Sequence, residues 1–382
     1  MTLKDSEKED ISKTFFFCNQ LVEFLDKICE ERGMQRKDLK AKFYIDHGVD
    51  WEKCCLHLSS DIPEFLPGTS FNTPFPLPST DQGAGAKEKK RRRTREQGVE
   101  RKDGSDLGQR TLLFLGVIRK MKESHFNFRV LLDLLQLNRI QYTVAADICA
   151  LMLLFGLMPA SSCNPCLYCP RRRHHGTGKW EEGEVELRTL GSLSKQYQGW
   201  LEAGAKTGAQ HTSIWQSTVN PVLIRSPDDK DKMTVLEKAP PPAVHLLLAT
   251  NDILRPHAVK FFGTELDMLD AIRTLIGAVP HSYQGKEGAF EGPGCNKILN
   301  KFHLLHPFFL ENEEHPDGFL FVSLLEQLRK VKDAMFGVEL AADYEDIMAD
   351  FCFHLHYANF GTGLPVTPKL HIISTHVIQW YR

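Results

Sequence analysis

Hydrophobic positions recur along this chain with two periods, and each change of period marks an element. From Asp10 to Arg32 they fall at helical spacing, with Phe17, Leu21, Phe24, Leu25 and Ile28 on one face, which predicts an amphipathic helix. Phe43-Tyr44-Ile45 and Cys54 to Leu58 read instead as two strands joined by a turn at His47-Gly48. Thr111 to Ile118 is apolar and β-prone, and Ser124 to Leu137 carries Val130, Leu131, Leu134 and Leu137 at helical spacing. Ile140, Tyr142 and Val144 then alternate with Gln141 and Thr143 as in a half-buried strand, and Ile148 to Met158 is apolar enough for a buried helix. Further on the pattern is mostly helical. A helix around Tyr197 to Glu202 follows, Ala239-Pro-Pro-Pro242 breaks the chain before the apolar run Val244 to Leu248, and Phe290 to Leu299 is a turn opening another helix. Asp317 to Gly337 and Asp343 to Tyr357 have core-helix periodicity, with His354 and His356 read as packing residues rather than ligands.

The first part of this pattern runs strand with Asp46, strand, long loop, strand, helix, strand ending at Asp147, helix. That is the order of a ribonuclease-H-like α/β fold, in which the first and fourth strands are neighbours. Asp46 and Asp147 are then expected to face each other at one sheet edge, where α/β folds place active groups. Two carboxylates held that close are reconciled by Mg2+ or Mn2+, and a metal pair ~3.5–4 Å apart clamps the attacking and leaving oxygens of a phosphodiester. Asp147, where strand hands over to helix, also reads as an ordinary N-cap, and Asp46 as an ordinary turn aspartate.

Composition narrows the partners. With 382 residues and 42% hydrophobic content the chain can bury a large core and divide into more than one unit. The formal charge of −2 gives no global attraction to nucleic acid, so any such affinity is local. Prolines recur from Ile62 to Pro78, and 83–108 is polar and charged, so 60–108 reads as a long flexible insertion. Within it Lys87 to Arg95 is a dense basic block, with Lys89, Lys90, Arg91, Arg92 and Arg93 at its centre. It reads as a nuclear-import signal or a nucleic-acid contact, or as a solvated linker. Ten cysteines behind a charged amino end read as reduced thiols or metal ligands. The longest apolar run is shorter than the ~20 residues a membrane span takes.

Cys166-Leu-Tyr-Cys169 is a C-x2-C pair of the kind that grips zinc. Near the end, His371 and His376 form H-x4-H, and the two half-sites together would complete a Cys2His2 set. Residues five apart on an α-helix stand about 140° apart at ~3.6 residues per turn, so a frayed or tightened turn is expected between the histidines. Cys163, His174 and His175 are local rivals that would make a compact knuckle instead.

Tyr44-Ile-Asp46-His-Gly48, Val144-Ala-Ala-Asp147 with the C-x2-C after it, Pro240-Pro-Pro-Ala-Val-His245, Phe290-x-Gly292-x-x-Cys-x-Lys-x-Leu299 and Thr367-Pro-Lys-Leu-His371-x4-His376-Val share one order and spacing. Together they resemble a group of invertebrate transposon-encoded proteins whose core is similar to Transib-type transposases and the catalytic subunit of the V(D)J recombinase. The resemblance covers Lys40 to Arg382. It implies a ribonuclease-H-like core interrupted by a large, mostly helical, zinc-bearing insertion, with DNA as partner, nicking and strand transfer as chemistry, possible homodimer assembly and the nucleus as location. It also implies Asp46 and Asp147 as catalytic metal ligands and Cys166, Cys169, His371 and His376 as ligands of a structural Zn2+. After a helical segment at 1–39, which the resemblance does not cover, the implied organisation is the core at 40–160 with the basic insertion 60–108, the helical insertion at 161–365 and a truncated zinc-ligand segment at 366–382. The family's catalytic glutamate would fall after Arg382. His47 and Val49 stand where glycines are usual, and Asp147 lacks the lysine that commonly follows. A non-catalytic, zinc-stabilised DNA- or protein-binding remnant is the alternative expectation.

Overall fold

The computed structural model describes residues 2–6, 9–12, 15–31, 35–48, 51–59, 112–119, 121–174, 177–255, 258–283, 286–311, 314–336 and 339–382. The long proline-rich and basic stretch, with Lys89 to Arg93, lies outside the described residues, as does 49–50 between the first two long strands. The architecture is mixed α/β. Strands β1 (Thr2–Ser6) and β2 (Glu9–Ser12) form a small antiparallel pair. The main sheet comprises β3 (Phe15–Phe17), β4 (Lys40–Gly48), β5 (Trp51–Ser59), β6 (Leu112–Arg119) and β7 (Thr143–Ala145) in the order β3-β6-β5-β4-β7. All neighbours are antiparallel except β4 and β7, which are parallel.

Period-two alternation orients the sheet. Phe43 and Ile45 of β4 and Cys54, Leu56 and Leu58 of β5 are buried on one face, whereas Lys42, Tyr44 and Asp46 share the other with Lys53, Cys55 and His57. The apolar face shares a continuous core with Leu21, Leu25 and Ile28 of the helix Leu21–Glu31 and with Phe128, Leu131, Leu132 and Leu135 of the helix His125–Leu135. At the start of His125–Leu135 the Ser124 hydroxyl accepts from the Asn127 amide at 3.2 Å, and Gln136 ends it in the left-handed conformation at φ 53°.

Three expected elements differ. The helix expected from Asp10 begins only at Leu21, because Phe15, Phe16 and Phe17 pair with Ile118, Val117 and Gly116 at the sheet edge. The strand expected from Ile140 is reduced to Thr143–Ala145. Ahead of it the backbone of Tyr142 is engaged by side chains: its N–H donates to Ser226 Oγ at 3.3 Å, and its carbonyl accepts from Lys238 Nζ at 2.6 Å. The helix expected to reach Met158 stops at Leu154, because the chain turns at Gly156 with φ 78°. A Cβ there would stand 2.0 Å from the Asn220 carbonyl oxygen, so the position admits only glycine while these segments stay joined. The joint is stitched by Val219 and Asn220 amides donating to the Gly156 carbonyl at 3.0 and 3.1 Å.

The second half is helical, built around Gly318–Met335 and Tyr344–Thr362, and its buried residues continue the same core to Val377. A buried ion pair fastens it to the sheet. Lys238 Nζ stands 2.7 Å from Asp229 Oδ2 and 4.1 Å from the centre of the Tyr142 ring, and Gln141 donates to Asp229 Oδ1 at 2.9 Å. No helix among the described residues is long and apolar enough to cross a membrane.

Candidate metal centre

Cys166, Cys169, His371 and His376 form a buried cluster in which one donor atom of each lies within 4.8 Å of the others. Cys166 Sγ is 3.4 Å from His376 Nε2 and Cys169 Sγ is 3.3 Å from His371 Nε2. With sulfur ~2.3 Å and nitrogen ~2.0–2.1 Å from a central Zn2+, tetrahedral S···N edges come to about 3.5 Å, so the donors fit zinc in type, number and spacing. Cys163 is half-buried and His174 exposed, and neither belongs to the cluster; His175 lies outside the described residues. His354 Nδ1 donates to the Asp350 carbonyl of its own helix at 2.8 Å, and His356 is exposed.

The histidines meet through a widened turn rather than a tightened one. Pro368–Ile372 is α-helical, with Thr367 as N-cap, but Ile373–Val377 is a π-helical turn. In a π-helix the hydrogen bond joins residues five apart, so H-x4-H brings the two rings onto one side. The rings are held from behind. His371 stacks on Trp180 with centroids 3.8 Å apart and planes 8° apart, while Trp180 Nε1 donates to the Val366 carbonyl at 2.8 Å. His376 Nδ1 is 2.8 Å from Gln379 Oε1. A proton on Nδ1 directed there leaves Nε2 as the lone-pair donor facing the sulfurs.

Left to themselves, the two buried sulfurs share one proton, which favours Cys166 as the thiol and Cys169 as the thiolate. Burial pushes the Cys166 thiol well above its ordinary value, whereas a hydrogen bond from Cys166, then those from His371 and His376, hold Cys169 far below it. Burial also lowers His371, keeping it neutral and able to bind metal. A divalent ion would take both sulfurs as thiolates and offset the cost of the buried second charge.

Arg188 is the residue sequence reasoning missed. It is 1% exposed, and its Nε donates to the carbonyls of Cys166 at 3.2 Å and Cys169 at 3.1 Å. One terminal nitrogen reaches the carbonyls of Asn164 and Gln216, and the other has no hydrogen-bond partner among the described residues. Burial brings its pKa down to about 10, opposed by the charge of the two sulfurs, so the guanidinium remains a cation at neutral pH. It therefore gathers the carbonyls of the C-x2-C loop while the sulfurs point to the histidines. No local signal separates Leu187-Arg188-Thr189 from a solvated arginine.

Asp46 and Asp147 occupy the other candidate site. Lys42, Phe43 and Tyr44 pair in parallel with Thr143, Val144 and Ala145, so each aspartate stands two residues beyond the last pair at the carboxyl end of its strand. Asp46 is exposed and opposite Lys53; Asp147 caps the helix Ile148–Leu154, its Oδ1 accepting from the Ala150 amide at 2.6 Å. Neither belongs to a cluster of three metal-ligating side chains among the described residues. No known family model matches this chain, and no curated protein is significantly similar to it.

Proposed function

We propose that this chain is most of the catalytic region of a DNA transposase or recombinase, with a ribonuclease-H-like core and a zinc-stabilised helical insertion. The observation that carries the proposal is the parallel register of β4 and β7 inside the order β6-β5-β4-β7, which brings Asp46 and Asp147 to equivalent positions at the carboxyl ends of adjacent strands. Extended by two residues, that register puts both side chains on one face. Their carboxylates would hold Mg2+ or Mn2+, which supplies activation of the attacking oxygen and stabilises charge on the scissile phosphate. The protein's part is to fix the ligands. Asp147 is oriented through its bond to the Ala150 amide, which leaves Oδ2 for an ion, and Asp46 is carried by a strand paired on both sides. A zinc ion in the Cys2His2 cluster would tie the carboxyl-terminal helices to the loop that follows the helix capped by Asp147, so its role in this reading is to hold the insertion beside the acidic pair. Action on DNA in the nucleus would use the basic block around Lys89, Lys90, Arg91, Arg92 and Arg93.

A second reading has its own observation. Two carboxylates, one of them engaged as a cap, make a weak metal site, and without a third ligand transition-state stabilisation falls steeply. In that reading the chain is a zinc-stabilised DNA- or protein-binding module. Incubating the purified chain with supercoiled DNA and Mg2+ or Mn2+ separates the two. The catalytic reading expects any metal-dependent nicking to be abolished by Asp46→Asn and by Asp147→Asn alike. Binding without cleavage, unchanged by both substitutions, would leave the module reading standing.

A further inference from the structure

The polar face of the sheet carries a second feature, at the opposite end of β4 from Asp46. A cleft of about 590 Å³ opens between the amino-terminal half of β4, the carboxyl-terminal half of β5, Gln141 to Thr143 and the segment Met233 to Lys238. That volume lies within the ~300–1,000 Å³ of small-molecule sites. Across its floor, register puts His57 and Thr143 on either side of Lys42.

The charges of the cleft do not balance. Lys37 and Lys42 line it, and so do Lys238 and Glu237. Glu237 is engaged by Thr234, whose amide and hydroxyl donate to its Oε2 at 2.6 and 2.8 Å, and Lys238 is neutralised by Asp229. The cationic excess therefore falls on the β4 side. Lys42 is half-buried and has no carboxylate partner among the described residues; its neighbour is the Tyr44 ring, 5.5 Å from Nζ. Tyr44 in turn meets His57 edge to face at 6.5 Å. Burial lowers the pKa of Lys42, and burial together with the charge of Lys42 lowers that of His57. A desolvated cation beside an aromatic ring and a neutral imidazole is a costly arrangement, and an oxyanion on Lys42 would relieve the cost.

We infer that this cleft is a binding site for a nucleotide unit, with a phosphate on Lys42, flanked by Lys37, and a base against Tyr44. Phosphate selects ammonium groups as point charges, and a tyrosine face accepts any base. The unit can be a free nucleotide or one residue of a strand. Lys42 stands four residues before Asp46 on the same face, about 13 Å at ~3.3 Å per residue, so a strand lying here would pass along the sheet toward the acidic pair. The inference does not depend on the metal chemistry of Asp46 and Asp147, since the cleft binds whether or not they cleave.

The test uses the full chain with Lys89, Lys90, Arg91, Arg92 and Arg93 changed to Gln, so that the cleft is read without the basic block. Deoxythymidine 5′-monophosphate, a ten-residue deoxythymidine strand and inorganic phosphate are titrated while the ring protons of His57 are followed by NMR. Binding of either nucleotide probe should raise the His57 pKa, because an anion beside Lys42 cancels the charge that depresses it. Lys42→Gln should weaken that binding about tenfold, and Lys37→Gln less. The strand's log-log salt slope should flatten by ~0.7 for each phosphate that the variant no longer neutralises. Binding of the mononucleotide identifies a free ligand, and binding of the strand alone identifies nucleic acid. If neither nucleotide probe shifts His57, or if Lys42→Gln and Lys37→Gln both leave affinity unchanged in a folded protein, the site is refuted. Nicking assays with Asp46→Asn are read separately, so the catalytic proposal can fail while this one stands.

Discussion

Arg188 donates to the backbone on which both cysteines sit, so its removal should act on zinc without touching a ligand. Arg188→Met strands the carbonyls of Cys166 and Cys169 in a dry interior. We expect zinc affinity to fall roughly 10–100-fold, as for other residues that orient metal ligands, with the Cys2His2 absorption of the cobalt-substituted protein broadened but not replaced. The ligands themselves should behave differently. Replacing Cys166 and Cys169 with Ser should abolish stoichiometric zinc by metal analysis. It should also lower Tm by about 10 °C, since a structural site can supply ~10–16 kcal/mol of apparent binding energy and a few kcal/mol suffice for that shift. Zinc retained by the double variant would reject the cluster as the metal site. Lys42 gives the opposite sign: a partly buried cation with no carboxylate partner among the described residues weakens the fold, so Lys42→Met should raise Tm slightly while weakening anion affinity, measurable by thermal melts with and without nucleotide.

The two joints between elements are as consequential as the ligands. Gly156 ends the helix capped by Asp147 and lets the 217–223 segment approach. Gly156→Ala meets both a left-handed backbone and the Asn220 carbonyl, and should cost about 3 kcal/mol or more by chemical denaturation. The other joint is the π-helical turn Ile373–Val377, held from outside. Gln379 bonds His376, Tyr381 donates to the Met335 carbonyl, and Arg382 pairs with Glu345 at 2.9 Å. These contacts pin the helix end against Gly318–Met335 and Tyr344–Thr362, so the extra residue in the turn is absorbed without loss of either ring.

For the whole molecule, three half-buried or buried histidines bear on acid stability. Burial lowers His57, His125 and His371 below 6.5, with the charge of Lys42 adding at His57 and the Pro221 carbonyl opposing at His125. A depressed folded-state pKa means that the unfolded chain binds more protons between the folded value and 6.5. Stability is therefore fully present above 6.5 and is lost as pH falls through that window. Melting temperature should decline from pH 7 toward pH 5, and zinc release should steepen the decline because protonated His371 cannot bind metal. A flat profile over that interval, with zinc bound throughout, would contradict the assignment.

The residue types and their spacing determined much of this by themselves. Alternation at Phe43-Tyr44-Ile45 and Cys54 to Leu58 is a local consequence of strand geometry, and helical spacing at Asp317 to Gly337 is one of helix geometry, so both are readable without the fold. Cys166-Leu-Tyr-Cys169 announces its chemistry for the same reason, since thiol pairs at that spacing can share a metal. The other features depend on partners far away in sequence. Phe15, Phe16 and Phe17 form a strand because β6 offers an edge, and Ile140 to Tyr142 fail to form one because Ser226 and Lys238 take the backbone of Tyr142. The union of the cysteines with histidines about two hundred residues away required the π-turn that packing imposes. Arg188 and the cationic cleft around Lys42 were invisible for one physical reason: a charged side chain declares its role only through what surrounds it, and burial and the sign of neighbouring charge are properties of the folded chain alone.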